Sequence, residues 1–227
     1  LDSMRQYPAA WLKGQSRGEA IAGELRLRIV EGTLKLGDVL SENKIAADFG
    51  TSRSPVREAL KALSNEGLIR LERMGAVVQG LSAHDIAELY DVRYLIESFA
   101  QQRLASSCTP DLIASLRHRI DRMRIAAKYA DIAEFAWLDF QFHDGLIAAA
   151  GHARIARLWD SIRHVVLTVM LLTTEEIFGD GADRLERVVA KHEAIADALE
   201  SGEEVRIAGV VRDYFADSSK TLRSTWS

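Results

Sequence analysis

Ser52-Arg53-Ser54-Pro55-Val56-Arg57-Glu58-Ala59-Leu60-Lys61 is the stretch on which the fold turns, because it opens a helix and sets arginines along its outer side. Ser54 carries a hydroxyl suited to capping. Pro55 suits the first helical position, where a missing N–H leaves no hydrogen bond unmade. Val56, Leu60 and Leu63 recur at helical spacing on a face that packs inward, which leaves Arg57, Lys61 and Ser64 pointing outward. Arg53 and Arg57 stand at the N-terminal end. In a helix-turn-helix that end of the second helix meets base edges, and the arginine fork matches O6 and N7 of guanine. Arg57 taken alone reads equally well as part of a solvated helix face; the ordered series of signals around it points to DNA.

Outward from this helix the pattern is consistent. Ser41 suits the cap of a short helix over 42–49, whose Ile45, Ala46 and Phe49 form an apolar stripe and which Gly50 ends. Gly50-Thr51-Ser52 supplies the turn. Upstream, Ile21, Leu25 and Ile29 repeat every four residues in a first amphipathic helix closed by Gly32. Downstream, Ile69-Arg70-Leu71-Glu72 and Ala76-Val77-Val78-Gln79 flank Arg73-Met74-Gly75. This reads as a two-stranded wing with Gly75 free to take positive φ and Arg73 at the tip. Residues 1–80 therefore read as a winged helix-turn-helix.

The 227 residues suffice for a second, larger domain, 81–227, with its own core. After Leu81-Ser82 the chain is helical, with no long linker. Ser82 and Asp85 mark a start, and Ile86, Leu89, Tyr90, Val92, Leu95, Ile96 and Phe99 make a wide apolar face to about Ser106. Thr109-Pro110 starts the next helix, and Asp131 with Glu134 starts a third that ends near Gly151. The spans 153–177, 182–200 (stopped by Gly202) and 203–222 follow. The fold class is mainly α: a winged helix-turn-helix followed by an antiparallel all-α bundle.

Composition bounds the setting. Cys108 is the only cysteine, which excludes an internal disulfide framework and suits a reducing compartment. No apolar run is long enough to span a membrane and no secretory signal is visible, so a cytoplasmic protein with no membrane partner is expected. The chain opens on Leu1, so its natural start is expected upstream. The formal net charge of -4 is unevenly placed: residues 1–80 hold 12 Lys+Arg against 10 Asp+Glu, and the remainder 17 against 23. Attraction to DNA must come from a local basic face, doubled in a dimer.

Leu40-Ser41-Glu42-Asn43-Lys44-Ile45-Ala46-Ala47-Asp48-Phe49, the Ser52 to Lys61 stretch and Arg70-Leu71-Glu72-Arg73-Met74-Gly75-Ala76-Val77-Val78 closely resemble the GntR family of bacterial regulators. The likeness begins at Tyr7-Pro8-Ala9 and Trp11-Leu12, continues through Tyr90-Asp91-Val92-Arg93, and thins beyond Leu104. It implies an FCD-type, FadR-like effector domain in the bundle and DNA contacts from Ser52, Arg53, Ser54, Arg57, Lys61, Arg73 and Gly75. Many members carry arginine where this chain has Asn43, followed by Lys44. Asparagine can itself read adenine.

Asp139 and His143 stand one turn apart on the third bundle helix, and His192 lies inside the fifth beside Val188 and Ile195. A carboxylate with two imidazoles can hold a divalent cation (zinc, manganese or nickel) if the helices face one another. An ordinary i,i+4 charge pair is the alternative for Asp139 and His143. The resemblance favours a ligand pocket here, since Asp-x-x-x-His and a later histidine form this sensor domain's metal signature, and leaves open whether a metal occupies it. It also implies a third histidine on the last helix, where this chain has Tyr214. Arg93 matches a family arginine that anchors an effector carboxylate, a task that suits its fork; a salt bridge to Glu97 at i+4 is the alternative. Arg163 is a further candidate for the pocket, and His84, His118, His152 and His164 read as surface or capping residues.

The resemblance implies a homodimeric repressor on an inverted-repeat operator, released by a small carboxylate effector, gluconate or a related sugar acid. A metal-sensing regulator and a metal-dependent hydrolase are the other classes. The hydrolase lacks an accompanying nucleophile motif, phosphate loop or HExxH, so no enzyme is expected.

Overall fold

The computed structural model describes residues 7–73 and 75–225, with side chains to residue 222. Leu1 and Met74 of the expected wing tip lie outside the described residues. The chain divides into two compact units, Leu1–Ser82 and Ala83–Ser227.

In the first unit a 3-10 turn, Ala9–Leu12, precedes α1, Arg17–Val30. α1 starts on a reciprocal cap: Ser16 Oγ accepts from the Glu19 N–H, and the Ser16 N–H donates to the Glu19 carboxylate. Ile21, Leu25 and Ile29 are buried against α3, Arg53–Asn65, whose Val56, Ala59, Leu60 and Leu63 face back. Burying each large aliphatic side chain stabilises the unit by about 1.5–3 kcal/mol. Arg26 and Glu66 join the same two helices through paired bonds, Nε to Oε2 at 2.7 Å and Nη2 to Oε1 at 2.6 Å, both groups being nearly buried.

Helix α2, Glu42–Asp48, runs into Gly50, whose φ of +57° makes the left-handed exit. Arg17 Nη2 closes this end by donating to the Phe49 and Gly50 carbonyls. The start of α3 differs from the sequence expectation. Ser52 is the cap residue, without a side-chain hydrogen bond, and Pro55 is the third helical residue. The N–H at that position has no intrahelical partner either, so proline is accommodated there as well as at the first position. Ser41 likewise precedes α2 without a side-chain bond. It is already held as the last residue of a strand, β1, Val39–Ser41.

β1 corrects the two-stranded wing. The sheet has three antiparallel strands in the order β1-β3-β2, with β2 at Ile69–Glu72 and β3 at Gly75–Val78. Ala76 lies between Leu40 and Leu71. Gly75 is therefore a buried strand residue paired with Ser41 and not an exposed tip. A Cβ built on it would overlap the Leu40 carbonyl oxygen, so glycine is required by the close approach of two backbones.

The second unit is six helices: α4, Ala83–Leu104; α5, Pro110–Lys128; α6, Ile132–Ala149; α7, Ala153–Gly179; α8, Ala182–Ser201; α9, Glu204–Thr225. Caps sit where side chains can supply them. Thr109 accepts from Leu112, Asp131 from Glu134 and His152 from Ile155, and Gly202 ends α8 at φ +68°. α4 packs on α6 and α9, α5 on α6 and α8, and α7 on α6. The expected apolar face of α4 is split. Ile86, Tyr90 and Ile96 are buried together with Arg93, Glu97 and Gln101, whereas Val92, Leu95 and Phe99 stay exposed at 43%, 66% and 42%. Counting apolar residues makes the core face too wide here, because three polar residues at i, i+4 and i+8 point inward in place of Val92, Leu95 and Phe99.

Gly75→Ala is expected to cost the first unit about 1–3 kcal/mol and to lower its thermal midpoint. An unchanged melting curve would show that β1 does not hold β3 as closely as described.

Candidate functional site

Two groups of residues carry chemistry, one in each unit. In the first, Asn43, Lys44, Ser52, Arg53, Ser54, Arg57, Lys61 and Arg73 are all exposed. Glu42, at the start of α2, gathers the two arginines. Its Oε2 accepts from Arg53 Nη2 at 2.8 Å and from Arg57 Nε at 2.9 Å. Glu42 is mostly shielded while Arg57 remains 61% exposed. The Arg53 hydrogen bond, against a smaller opposing effect of burial and with help from Arg57, holds the Glu42 carboxyl below the usual carboxylate range. The two guanidinium groups are thus held side by side in the absence of DNA. Nothing in the sequence marks Glu42 for this role beyond its place at a helix start.

In the second unit, α6 supplies Asp139 and His143, α8 supplies His192, α4 supplies Arg93 and Glu97, and α9 supplies Tyr214. All six are buried. His192 Nε2 lies 2.9 Å and His143 Nε2 3.3 Å from Asp139 Oδ1. The candidate ligand atoms of these three residues lie within 4.8 Å of one another. On the far side of each ring, His143 Nδ1 meets Glu97 Oε2 at 2.5 Å and His192 Nδ1 meets the Val188 carbonyl at 2.8 Å. Each Nδ1 faces an acceptor and both Nε2 atoms face Asp139. With the hydrogen on Nδ1 this is the orientation a cation site needs, the outer acceptors fixing the rings. The residues fit a divalent cation: one carboxylate oxygen and two imidazole nitrogens converge, and an ion there would supply positive charge for an oxygen ligand.

Tyr214 makes the set different from three histidines. Its hydroxyl lies 2.8 Å from His143 Nε2. Burial, reinforced by Asp139, pushes the phenol well above its ordinary value, so it stays protonated and can donate to that nitrogen.

Arg93 combines both alternatives that the sequence leaves open. Its Nε donates to Glu97 Oε1 at 2.5 Å, and its guanidinium lies over the rings of Tyr90 and Phe215. Its Nη2, however, is buried with no hydrogen-bond partner. The same side chain lines a cavity of about 50 Å³ together with Tyr90, Asp139, Thr173, Lys191 and Tyr214. That volume admits a few water-sized groups, so a six-carbon acid requires some widening. Arg163 is not among the lining residues. It is held on the α6–α7 seam by Asp144 at 3.0 Å and Asp160 at 3.7 Å, over the Phe140 ring. Helical spacing alone could not tell that seam from the cavity. Glu97 emerges as the bridge between Arg93 and His143. Its i+4 spacing from Arg93 shows one half of this role, and only the packing of α4 on α6 shows the other. Thr173 and Lys191 carried no local signal.

The charges explain why the cluster persists. Burial raises Asp139, but His192 and His143 outweigh it and hold the carboxyl well below the usual range. Burial also raises Glu97, which Arg93 and His143 together bring below its ordinary value. Burial lowers His143, and Glu97 more than reverses this, leaving it raised.

The wider comparisons follow the same division. The model for bacterial regulatory proteins of the gntR family matches residues 17–78, and the FCD domain model matches residues 88–217. The gluconate operon transcriptional repressor of Bacillus subtilis (strain 168) is 39% identical over 220 residues, covering 97% of this chain and 90% of that protein. That of Bacillus licheniformis is 36% identical over the same shares. Among solved structures, E. coli McbR/YncC superposes with a TM-score of 0.74 at 17% identity, over 93% of this chain and 99% of that one, which bears on the fold alone.

The depressed carboxyls contribute stability that is complete above the ordinary carboxylate range and lost as pH falls through it. The raised His143 contributes stability complete below 6.5, its ordinary value, and lost as pH rises through the raised one. Thermal unfolding of chelator-treated protein should therefore peak in mildly acidic buffer and decline on both sides. His143→Gln should flatten the alkaline limb. A midpoint in the unsubstituted protein that does not move from mildly acidic to alkaline buffer would contradict this charge assignment.

Proposed function

Because the chain belongs to the GntR family of bacterial regulatory proteins and carries an FCD domain, we propose that this DNA-binding transcription regulator is a homodimeric repressor released from its operator by a sugar acid, gluconate first. The family is non-enzymatic, which removes the hydrolase alternative. A bacterial regulator of this kind works where the DNA is, in the cytoplasm. Among the described residues no helix is long and apolar enough to cross a membrane.

The observation that carries the effector reading is the buried, unpaired Nη2 of Arg93, a side chain that lines the cavity. A buried charged donor without a partner costs more than about 1–3 kcal/mol, and a carboxylate oxygen removes that cost. Asp139, Thr173 and Tyr214 then offer acceptors and donors for hydroxyl groups. Gluconate is favoured because the relatives at 39% and 36% identity are gluconate operon repressors. Asp139, His143 and His192 would hold a divalent cation beside the same cavity, and its charge would offset the second buried carboxylate and attract an acid. The same three residues support the second reading, a metal-sensing regulator, in which chelation alone would change operator binding.

On DNA, Arg53 and Arg57 leave Glu42 for base edges or phosphates, with Lys61, Ser52 and Ser54 beside them and Asn43, Lys44 and Arg73 at the flanks. Two such helices address an inverted repeat one turn apart, about 34–36 Å. The exposed stripe of Val92, Leu95 and Phe99 on α4 supports a twofold interface between copies. Effector binding would shift the bundle or its linkage to the winged helix and so alter the separation of the recognition helices, with a coupling of about 1–3 kcal/mol.

Operator titration at fixed salt tests the DNA contacts. Arg57→Ala should raise the operator Kd by about tenfold to a hundredfold; an unchanged Kd would remove Arg57 from the interface. Arg93→Lys, which keeps a charge for Glu97 but loses the fork, should leave operator affinity intact and abolish release by gluconate. If gluconate still releases the variant, the carboxylate anchor is elsewhere. In sedimentation, Leu95→Glu should convert dimer to monomer, and an intact dimer would place the interface on another face.

A further inference from the structure

One face of α8 carries Arg184, Arg187, Val188 and Lys191 at the i, i+3, i+4 and i+7 positions, and α9 brings Lys220 and Thr221 against it. These residues line an open depression of about 230 Å³. Val188, Lys191 and Thr221 also line the cavity that holds Arg93, so the depression adjoins it in the position of a vestibule. Four cations gather there, in a domain where acidic residues outnumber basic ones. Asp217 is the one carboxylate lining it; Lys191 pairs with Asp217, and Arg184 pairs with Asp180. Among the described residues no ion pair engages Arg187 or Lys220 in this way. The Lys191 hydrogen bond, against burial, holds the Asp217 carboxyl low, and Lys220 and Arg184 add to it, which places three cations around one anion. An uncharged polyol end needs no such excess.

We infer that this vestibule is a second anion subsite, taking a phosphoryl group on the far end of an acid whose carboxylate meets Arg93. The effector class is then a phosphorylated sugar acid, with two anionic ends spanned along the α8–α9 seam. The inference rests on the effector reading above for the carboxylate end and on the cation cluster for the other. A phosphoryl group offers three acceptor oxygens and close to two negative charges, which suits several converging lysine and arginine heads better than one carboxylate would.

Calorimetric titration of the full chain with gluconate, 6-phosphogluconate and glucose 6-phosphate separates the two ends. The phosphorylated acid should bind at least about tenfold more tightly than gluconate. The double variant Arg187→Gln, Lys220→Gln should lose that gain while keeping its affinity for gluconate. Equal binding of the two acids, or a gain that survives the double variant, overturns the vestibule and leaves the sugar-acid reading standing. If 6-phosphogluconate and glucose 6-phosphate bind alike, gluconate does not bind, and the double variant abolishes both, the vestibule stands and the carboxylate anchor fails. Binding of none of the three overturns both. A fall in effector-free operator affinity in the double variant assigns these cations to DNA and overturns the subsite.

Discussion

The charged residues buried between α4, α6, α8 and α9 are the constraint to which the rest of the bundle answers. Taking a guanidinium, two carboxylates and two imidazoles out of water is tolerable only if each finds an oppositely charged or hydrogen-bonding partner. Glu97 binds Arg93 on one oxygen and His143 on the other, and the Nε2 atoms of His143 and His192 lie against Asp139 Oδ1. Four helices must therefore meet in one register. A slip of α4 or α6 by one residue would leave a buried charge unpaired, at about 3–5 kcal/mol, and a slip of α9 would take the Tyr214 hydroxyl from His143. The aromatic residues around the cluster, Phe142 against both histidines and Phe215 against Arg93 and Tyr214, fill the space that water would otherwise take. With neutral imidazoles the set carries one excess negative charge. A bound proton or cation would offset that charge.

The DNA-binding unit solves the opposite problem, holding charges ready without burying them. Glu42 sets Arg53 and Arg57 in one orientation while both remain largely in water. Exposed pairs of this kind add little to stability. What they supply is order: guanidinium groups already aligned by a carboxylate would lose less freedom on meeting a groove. In the proposed DNA contact Glu42 would be exchanged for the nucleic acid, so the same bond would also weaken contacts that offer no better acceptor than itself.

Much of this was legible in the sequence because it is local. Gly50 beyond Phe49, Thr109 before Pro110, Asp131 before Glu134 and Gly202 after α8 mark helix ends through the chemistry of a few adjacent residues, and the structure places the ends within about three residues of the expected bounds. Asp139 and His143 share a face by spacing alone, and the model brings His192 to them. What could not be read is what depends on distant pairing. β1 is three residues long, too short for alternation to show, and exists because β3 lies beside it. The cap at Ser54 failed because two serines flank Arg53 and proline is accommodated at either register. α4 misled more instructively: its apolar residues occupy two faces, and the buried one also carries Arg93 and Glu97, which pair with each other and with His143. Arg163 shows the converse, a well-spaced arginine claimed by nearby aspartates.

Tyr214 ties the buried cluster to α9 through one hydrogen bond. When His143 is neutral with its hydrogen on Nδ1 toward Glu97, the phenol and any ligand compete for the one lone pair on Nε2. A ligand taking that nitrogen must turn the Tyr214 hydroxyl away, and a buried hydroxyl without a partner is unfavourable. The hydroxyl then has to find Asp139 or the ligand's own oxygens, or α9 has to move. α9 packs along α4, and α4 is the helix that follows directly on the first unit in the chain. A histidine at this position would join a cation without releasing anything. A tyrosine makes occupancy of the site cost a hydrogen bond that only the right ligand, one bearing its own acceptor, can restore.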